Sequence, residues 1–326
     1  MDNICKEGLI LPKFRIDKNP YYMKSYVELY LDDTSEMFEF ELKKDDKRFY
    51  NLSIKKPIPN TDYFDLETVY GFGGYYSNVN DRHFVQDALR KYSNFCKENN
   101  IIAEFIRFDP FNDFPNQFPY SLEFLKEERK VVIVDLAISD KERFSKYSST
   151  ARNIIRKRPS NLVIKETEDI DSFIGLYYAT MRKHEANEFY FFSKSYFEKL
   201  INLDYCDLYG AYIDNIPISM AFFLKSEYIV YYHLSASNES CSRYNPSYHL
   251  LHEAFNMYSS QGYKIMLLGG GTTSDPNDRI FFFKTRFSKD IMPYYIGGKI
   301  FDMEIYNKLI NQREFNNNRF LRYRYE

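Results

Sequence analysis

The sequence predicts an α/β (α+β) fold of two related subdomains in tandem, each a mixed, mostly antiparallel sheet flanked by helices. Three observations lead there. Between residues 161 and 300, apolar runs of strand length alternate with helical periodicity in the order β-α-α-β-β-β-α-β-α-β. The first half repeats part of this string, a helix followed by a strand at similar spacing. The chain has 326 residues and no low-complexity linker, enough for one large domain or two ordinary ones.

In the first half, a helix is expected around 21–31, then the strands MFEFEL and FYNLSIKK. The glycine-rich YGFGG loop (70–74) precedes a helix over 82–98, with Phe84, Val85, Ala88, Leu89, Tyr92 and Phe95 on one face. The strand IIAEFIRF, a loop carrying Pro110, Pro115 and Pro119, and the strand VVIVDLAI follow. Residues 139–160 read as a basic helical connector ended by Pro159. The expected domains are therefore 1–138, the connector 139–160, and 161–326 as the catalytic candidate.

In the second half, NLVIKE is a strand, and 169–184 places Ile170, Phe173, Ile174, Tyr177, Tyr178 and Met181 on one helical face. Ser193 is a plausible N-cap for SKSYFEKLI. The strands CDLYGAYI, PISMAFFLKS and EYIVYYHLSAS follow, the first two joined by the turn signal Asp214-Asn215. A helix over 247–261, the strand KIMLL, a short helix over 278–287 and the strand MPYYIGG complete the string.

The composition narrows the function. The net charge of −2 argues against a nucleic-acid scaffold, and no DNA partner is expected. There are 30 Phe, 31 Tyr and no Trp, enough aromatic surface for a core or a sugar or nucleotide site. Cys5, Cys96, Cys206 and Cys241 lie far apart without a CxxC pair, so they read as reduced thiols and no metal is expected. No signal-peptide run and no stretch near the roughly 20 apolar residues of a membrane span occurs. The expected location is the cytoplasm, with loose association with the inner membrane face left open.

Several motifs resemble one family. They are VYGFGGYYSN (69–78), FIRFDPF (105–111), STARNIIRK (149–157), YYATMRKHEANEFYFFS (177–193), YYHLSASNE (231–239), LLGGGTTSDPNDRIFFFKTRFS (267–288) and YYIGGKIFD (294–302). Their order and spacing resemble the FemAB-like branch of the GCN5-related N-acetyltransferase (GNAT) superfamily, with tandem acyltransferase-like subdomains. The element order of the second half matches that fold, whose mixed sheet splays open between its fourth and fifth strands. The resemblance implies acyl transfer to an amine. One branch uses aminoacyl-tRNA to extend peptidoglycan precursors. Another is associated with surface-polysaccharide synthesis and acylates amino sugars from acyl-CoA. Two departures stand out. The usual phosphate loop is replaced by SASNESCSRYNPSY, which has no glycine, and 161–237 has no room for the coiled-coil hairpin of the tRNA-dependent enzymes.

Candidate site residues follow. Gly269, Gly270 and Gly271 end a buried strand where the fold's cleft lies, and one glycine would suffice for a plain turn. With Ser235 and Asn245 they form the expected acyl-CoA site. The resemblance matches Lys284 to a lysine that stabilises charge on the reacting carbonyl. Asp278 and Arg279 either orient it or simply start a helix. Strand alternation puts Tyr231, His233 and Ser235 on one face, with His233 a general-base candidate or a histidine bonded within the sheet. Arg152 and Arg156, four residues apart, suit a diphosphate or a solvated face. Tyr70, Gly73, Gly74 and Tyr75 read as a cleft-lining loop between subdomains or a plain turn. Arg107 is a substrate candidate or part of an ion pair with Asp109. Arg279 joins the substrate set, and Arg182 and His184 are weaker candidates.

The leading expectation is an N-acyltransferase moving an acyl group, acetyl or similar, from acyl-CoA to a nucleotide- or lipid-linked amino sugar. The alternative is an aminoacyl-tRNA-dependent transferase acting on peptidoglycan precursors, the only reading in which tRNA is a partner. A third reading is a non-catalytic glycan-binding module.

Overall fold

The computed structural model describes residues 4–5, 9–275, 277–311 and 319–324. The chain divides into two compact units. One contains Arg129–Met292 with short N-terminal pieces, including Lys18–Pro20; the other contains Tyr21–Glu128 with Pro293–Glu326. The expected boundaries at 138 and 161 therefore move. The segment 139–160 folds as two helices, Asp140–Lys146 and Ser149–Arg156. Tyr147 and Ala151 are buried in the same core as Leu251 and Phe255, so this stretch is part of the second core.

In the unit containing Arg129–Met292, the strand order is Leu162–Glu166, Cys206–Ile213, Ile216–Lys225, Ile229–Ser237 and Ile265–Gly269, with residues 132–135 of Phe124–Asp135 outermost. All pairings are antiparallel except that between Ile229–Ser237 and Ile265–Gly269. Asp214 and Asn215 both take left-handed backbone, at φ 50° and 65°, as a two-residue hairpin turn requires. Ser193 caps Lys194–Ile201 by accepting from the Tyr196 amide, and Asp169 caps Ile170–Lys183 likewise from Ser172. Helix Pro246–Ser260 buries Leu250, Leu251, Ala254 and Tyr258 against one sheet face. Helices Ile170–Lys183 and Lys194–Ile201 cover the other through Phe173 and Phe197, which pack on each other and on Phe222.

The parallel pair is short. Ile229, Val230 and Tyr231 pair with Ile265, Met266 and Leu267, and the ladder goes no further although the first strand runs to Ser237. This is the expected parting of the fourth and fifth strands.

In the other unit the strands are ordered Glu36–Lys44, Lys47–Pro57, Phe64–Glu67, Ile101–Arg107 and Ile291–Ile300, with helix Arg82–Glu98 between the parallel third and fourth. The helix expected at 21–31 is instead one α turn, Lys24–Val27, between two 3-10 turns. Tyr21, Tyr22 and Tyr26 are all buried there. Tyr22 OH donates to the Gly73 and Gly74 carbonyls at 2.6 and 3.0 Å, and side-chain anchoring replaces a regular helix. Glu104 is fully buried at the centre of this unit, taking hydrogen bonds from Ser53, Asn51, Tyr75 and Tyr92 at 2.7–2.8 Å. Burial pushes its carboxyl upward despite these donors.

Candidate functional site

The site builds outward from the end of Ile265–Gly269. Gly269 has φ +77°, which side chains rarely adopt, and a Cβ there would stand 3.4 Å from Lys284 Nζ. A Cβ on Gly270 would meet the Lys130 carbonyl at 2.8 Å, and one on Gly271 would meet Asp278 Oδ1 at 2.3 Å. Three glycines stand together because the loop bends sharply and is then pressed between a backbone and a carboxylate. Their expected assignment to the cofactor has this second physical explanation in the loop's own packing.

Asp278 holds that loop. Its Oδ2 accepts from the Thr272 amide and hydroxyl at 3.0 and 2.6 Å and from the Thr273 amide at 3.1 Å. Its Oδ1 accepts from the Ile280 and Phe281 amides, both at 2.9 Å, capping helix Arg279–Lys284. Burial works against the charge, but the hydrogen bonds from Thr272, Phe281 and Thr273 outweigh it and hold the carboxyl well below the usual range. A carboxylate so fully bonded anchors structure and is a poor proton carrier. Replacing Asp278 with Ala should cost about 1–2 kcal/mol from the cap alone. Urea unfolding should show that loss together with reduced activity, and unchanged stability would contradict the anchoring role.

Lys284 closes the helix and turns back over the loop, its Nζ donating to the Gly270 carbonyl at 2.7 Å. Burial pulls its ammonium down to about 8, with Asp278 opposing and Arg129 adding to the fall. Sequence reasoning missed Arg129. It donates to the Gly271 and Thr272 carbonyls at 2.8 and 3.1 Å. Within FLKEERK it is one member of a charged run, and only the strand register beside the loop reveals it. Arg279 is exposed on the same helix.

On Ile229–Ser237 the expected alternation fails. Ala221 pairs with Ser235 and Phe223 with Tyr232, so Phe222 faces two residues, His233 and Leu234. This bulge carries Ser235 to the side of Tyr232, which packs into the core beneath helix Pro246–Ser260. His233 stays on the opposite side, its Nε2 3.3 Å from Tyr196 OH. Burial pushes the imidazole down to about 3, so it is neutral and too weakly basic to hold a proton taken from an ammonium. Of the two expected readings of His233, the contact with Tyr196 and the lowered imidazole favour the neutral, hydrogen-bonded histidine over the general base. Asn245 has φ +48° immediately before Pro246 and so supplies, without glycine, the left-handed residue that opens the helix. Ser237 and Ser247 hydroxyls lie 2.9 Å apart beside it.

Other expected residues are placed elsewhere. Arg152 turns inward to cap helix Asp140–Lys146, donating to the Ser145 carbonyl at 2.9 Å and to that of Tyr147. Arg156 lies over the Phe144 ring, 5.5 Å from its centroid. Arg152 is thus committed to its own helical pair, whereas Arg156 is exposed. Tyr75 is wholly buried and bonded to Glu104, hence core and not substrate site. The Gly73 and Gly74 carbonyls are taken by Tyr22, and a Cβ on Gly74 would meet Phe108 at 2.6 Å. Tyr70 accepts from Tyr26 OH at 3.1 Å through its carbonyl. Arg107 donates to the Thr68 carbonyl at 3.2 Å and approaches Glu67 at 3.7 Å, so the expected Asp109 pairing is replaced. Arg182 lies over the Tyr178 ring, and His184 ends helix Ile170–Lys183 as its C-terminal cap residue. Among the described residues, no group of three or more His, Cys, Asp or Glu side chains is arranged to hold a metal ion, and no helix is long and apolar enough to cross a membrane. Cys96, Cys206 and Cys241 are free thiols.

Residues 145–278 match the family model described as an acetyltransferase (GNAT) domain. The fold is similar to the crystal structure of FemX, with a TM-score of 0.72 and 13% identity, covering 89% of this chain and 94% of that one. It is similar to the C-terminal domain of a putative lysylphosphatidylglycerol synthetase from Agrobacterium fabrum, with a TM-score of 0.53, 13% identity, and 80% and 84% of the two chains covered. A third similar structure is L-PGS from Bacillus licheniformis, with a TM-score of 0.53, 11% identity, and 82% and 88% covered. At these identities the likeness is one of fold. No curated protein matches the sequence.

Proposed function

We propose, from the match of residues 145–278 to an acetyltransferase (GNAT) domain and the FemX-like fold, that this chain is an acyltransferase that moves an acyl group from acyl-CoA to the amine of a nucleotide- or lipid-linked amino sugar. The observation that supports the reading best is Lys284, with its ammonium lowered to about 8 over the Gly270 carbonyl, at the end of the strand whose neighbour diverges after Tyr231. Past that point the edge of Ile229–Ser237 has main-chain groups able to pair with an extended, amide-bearing chain such as the pantetheine of CoA. Helix Pro246–Ser260 opens with its first-turn amides next to Ser237 and Ser247, where a diphosphate finds donors and a favourable dipole.

The amine nitrogen attacks the thioester carbonyl carbon, forming the C–N bond. Negative charge develops on the carbonyl oxygen, where the Lys284 ammonium stabilises it. Collapse breaks the C–S bond, and the departing thiolate takes the proton that the attacking nitrogen loses. His233, neutral and weakly basic, holds a hydrogen bond in this scheme and carries no proton.

The active form has Lys284 protonated, so its contribution is complete below about pH 8 and is lost above it. The kcat/KM should fall about tenfold per pH unit on the alkaline side. Lys284→Arg should move that limb out of range, because a guanidinium keeps its charge. A flat profile from pH 7 to 10 would remove Lys284 from the reaction.

A second reading is supported by the likeness to FemX and to a putative lysylphosphatidylglycerol synthetase. In it the donor is an aminoacyl ester of tRNA, and the same lysine serves the same oxyanion. Thiol release from several acyl-CoAs against a panel of nucleotide-linked amino sugars separates the two. Turnover with acyl-CoA carries the first reading. Silence there, with transfer from charged tRNA, replaces it with the second.

A further inference from the structure

The loop after Ile265–Gly269 offers consecutive backbone carbonyls to two cations. Lys284 donates to that of Gly270, and Arg129 donates through Nη1 to those of Gly271 and Thr272. Arg129 reaches them because its strand, Phe124–Asp135, runs antiparallel to Ile265–Gly269 with Val132 opposite Gly269. Its aliphatic stem occupies the space a side chain at 270 would need, with Cδ 3.0 Å from an ideal Cβ. From the opposite direction, Asp278 binds the amides of Thr272 and Thr273. The peptide units that follow Gly270 are thereby held on both edges.

We propose that Arg129 is a positioning residue for Lys284: by occupying the Gly271 and Thr272 carbonyls it keeps the ammonium from sinking onto them. A lysine ammonium has three N–H bonds. Each one captured by the loop is lost to a substrate oxygen, so the arginine preserves donors for the developing oxyanion. This inference rests on the role proposed above for Lys284 and adds what keeps that lysine available. The charged groups acting on Lys284 are Asp278, which favours the ammonium, and Arg129, which opposes it; burial is the larger influence. Removing Arg129 withdraws a neighbouring cation and releases two carbonyls to the lysine, and both changes favour the ammonium.

The test reads Lys284 directly in the full-length protein and does not require activity. Competitive acetylation by a trace of acetic anhydride, followed by mass spectrometry of the Lys284 peptide, gives the midpoint at which the free amine appears. The wild-type midpoint should lie near 8. In Arg129→Gln it should rise toward the ordinary lysine value of about 10.4, and in Arg129→Lys it should fall back toward the wild type. Arg129→Met keeps the stem against Gly270 and serves in the same way should Arg129→Gln fail to fold. An unchanged midpoint in a folded Gln or Met variant overturns the inference. The alkaline limb of kcat/KM is measured on the same samples. A labelling midpoint that rises while that limb stays fixed removes Lys284 from catalysis and leaves Arg129 only as a residue that sets the lysine's charge, whereas an unchanged midpoint beside a limb near pH 8 overturns the Arg129 inference alone, so the two ideas fail separately.

Discussion

Lys284→Ala is expected to lower kcat/KM by about 10²–10³-fold, the usual cost of removing one oxyanion donor, while the protein stays folded. The side chain gives the fold one hydrogen bond, to the Gly270 carbonyl. The helix that carries it is held by the Asp278 cap and by Phe281 and Phe283 against the core, none of which the substitution touches. Steady-state kinetics with the productive donor and amine, beside a thermal unfolding curve, separates lost chemistry from lost structure. Wild-type turnover in Lys284→Ala would leave the proposed site without its cation.

Arg324→Ala is expected to show the largest loss of stability, about 3–5 kcal/mol at pH 8, because it leaves a buried carboxylate without its partner. Asp65 is 0% exposed on the strand Phe64–Glu67. Arg324 donates to its Oδ2 at 2.5 Å and to the carbonyls of Lys56 and Pro57 at 3.0 Å each. Burial raises the Asp65 carboxyl to about 6 even with Arg324 opposing the rise. Its folded value thus lies above the unfolded value of about 3.9. The Asp65 contribution to stability is complete below the unfolded value and is lost as pH rises through 6. Without Arg324 the folded value climbs further. The variant should therefore lose much less at pH 5, where the carboxyl can take a proton, and Asp65→Asn should relieve part of the defect at pH 8. Equal destabilisation at both pH values would contradict this account.

Much of the fold was legible because it follows periodicity. The strands 206–213, 216–225 and 229–237 and the helices 82–98, 170–183 and 246–260 all sit where apolar spacing puts them. The short segment after Asn19 was not legible: its tyrosines are anchored by carbonyls far along the chain, a tertiary effect invisible to local spacing. The unit boundary was misplaced because the amphipathic helices of 140–156 resemble a solvated connector until their buried face finds helix 246–260. At the site, the three glycines stood out by residue type, and Lys284 through the family resemblance. The face of Ser235 was misread because a one-residue bulge reverses alternation, and no pattern of apolar spacing signals it. Arg152 and Tyr75 looked available for ligands but satisfy internal needs, a backbone helix end and a buried carboxylate. Arg129 was hidden because its partners are main-chain carbonyls some 140 residues away, contacts that leave no mark on composition.

The donor is proposed to lie along the strand edge that opens after Tyr231. Hydrogen exchange of the wild-type protein, with and without saturating acetyl-CoA, tests it most directly. Slower exchange at amides within 232–237 and in the first turn of helix 246–260, with little change in helix 82–98, is the predicted result. Exchange at 232–237 that is indifferent to bound donor, or protection confined to residues 64–107, would contradict it.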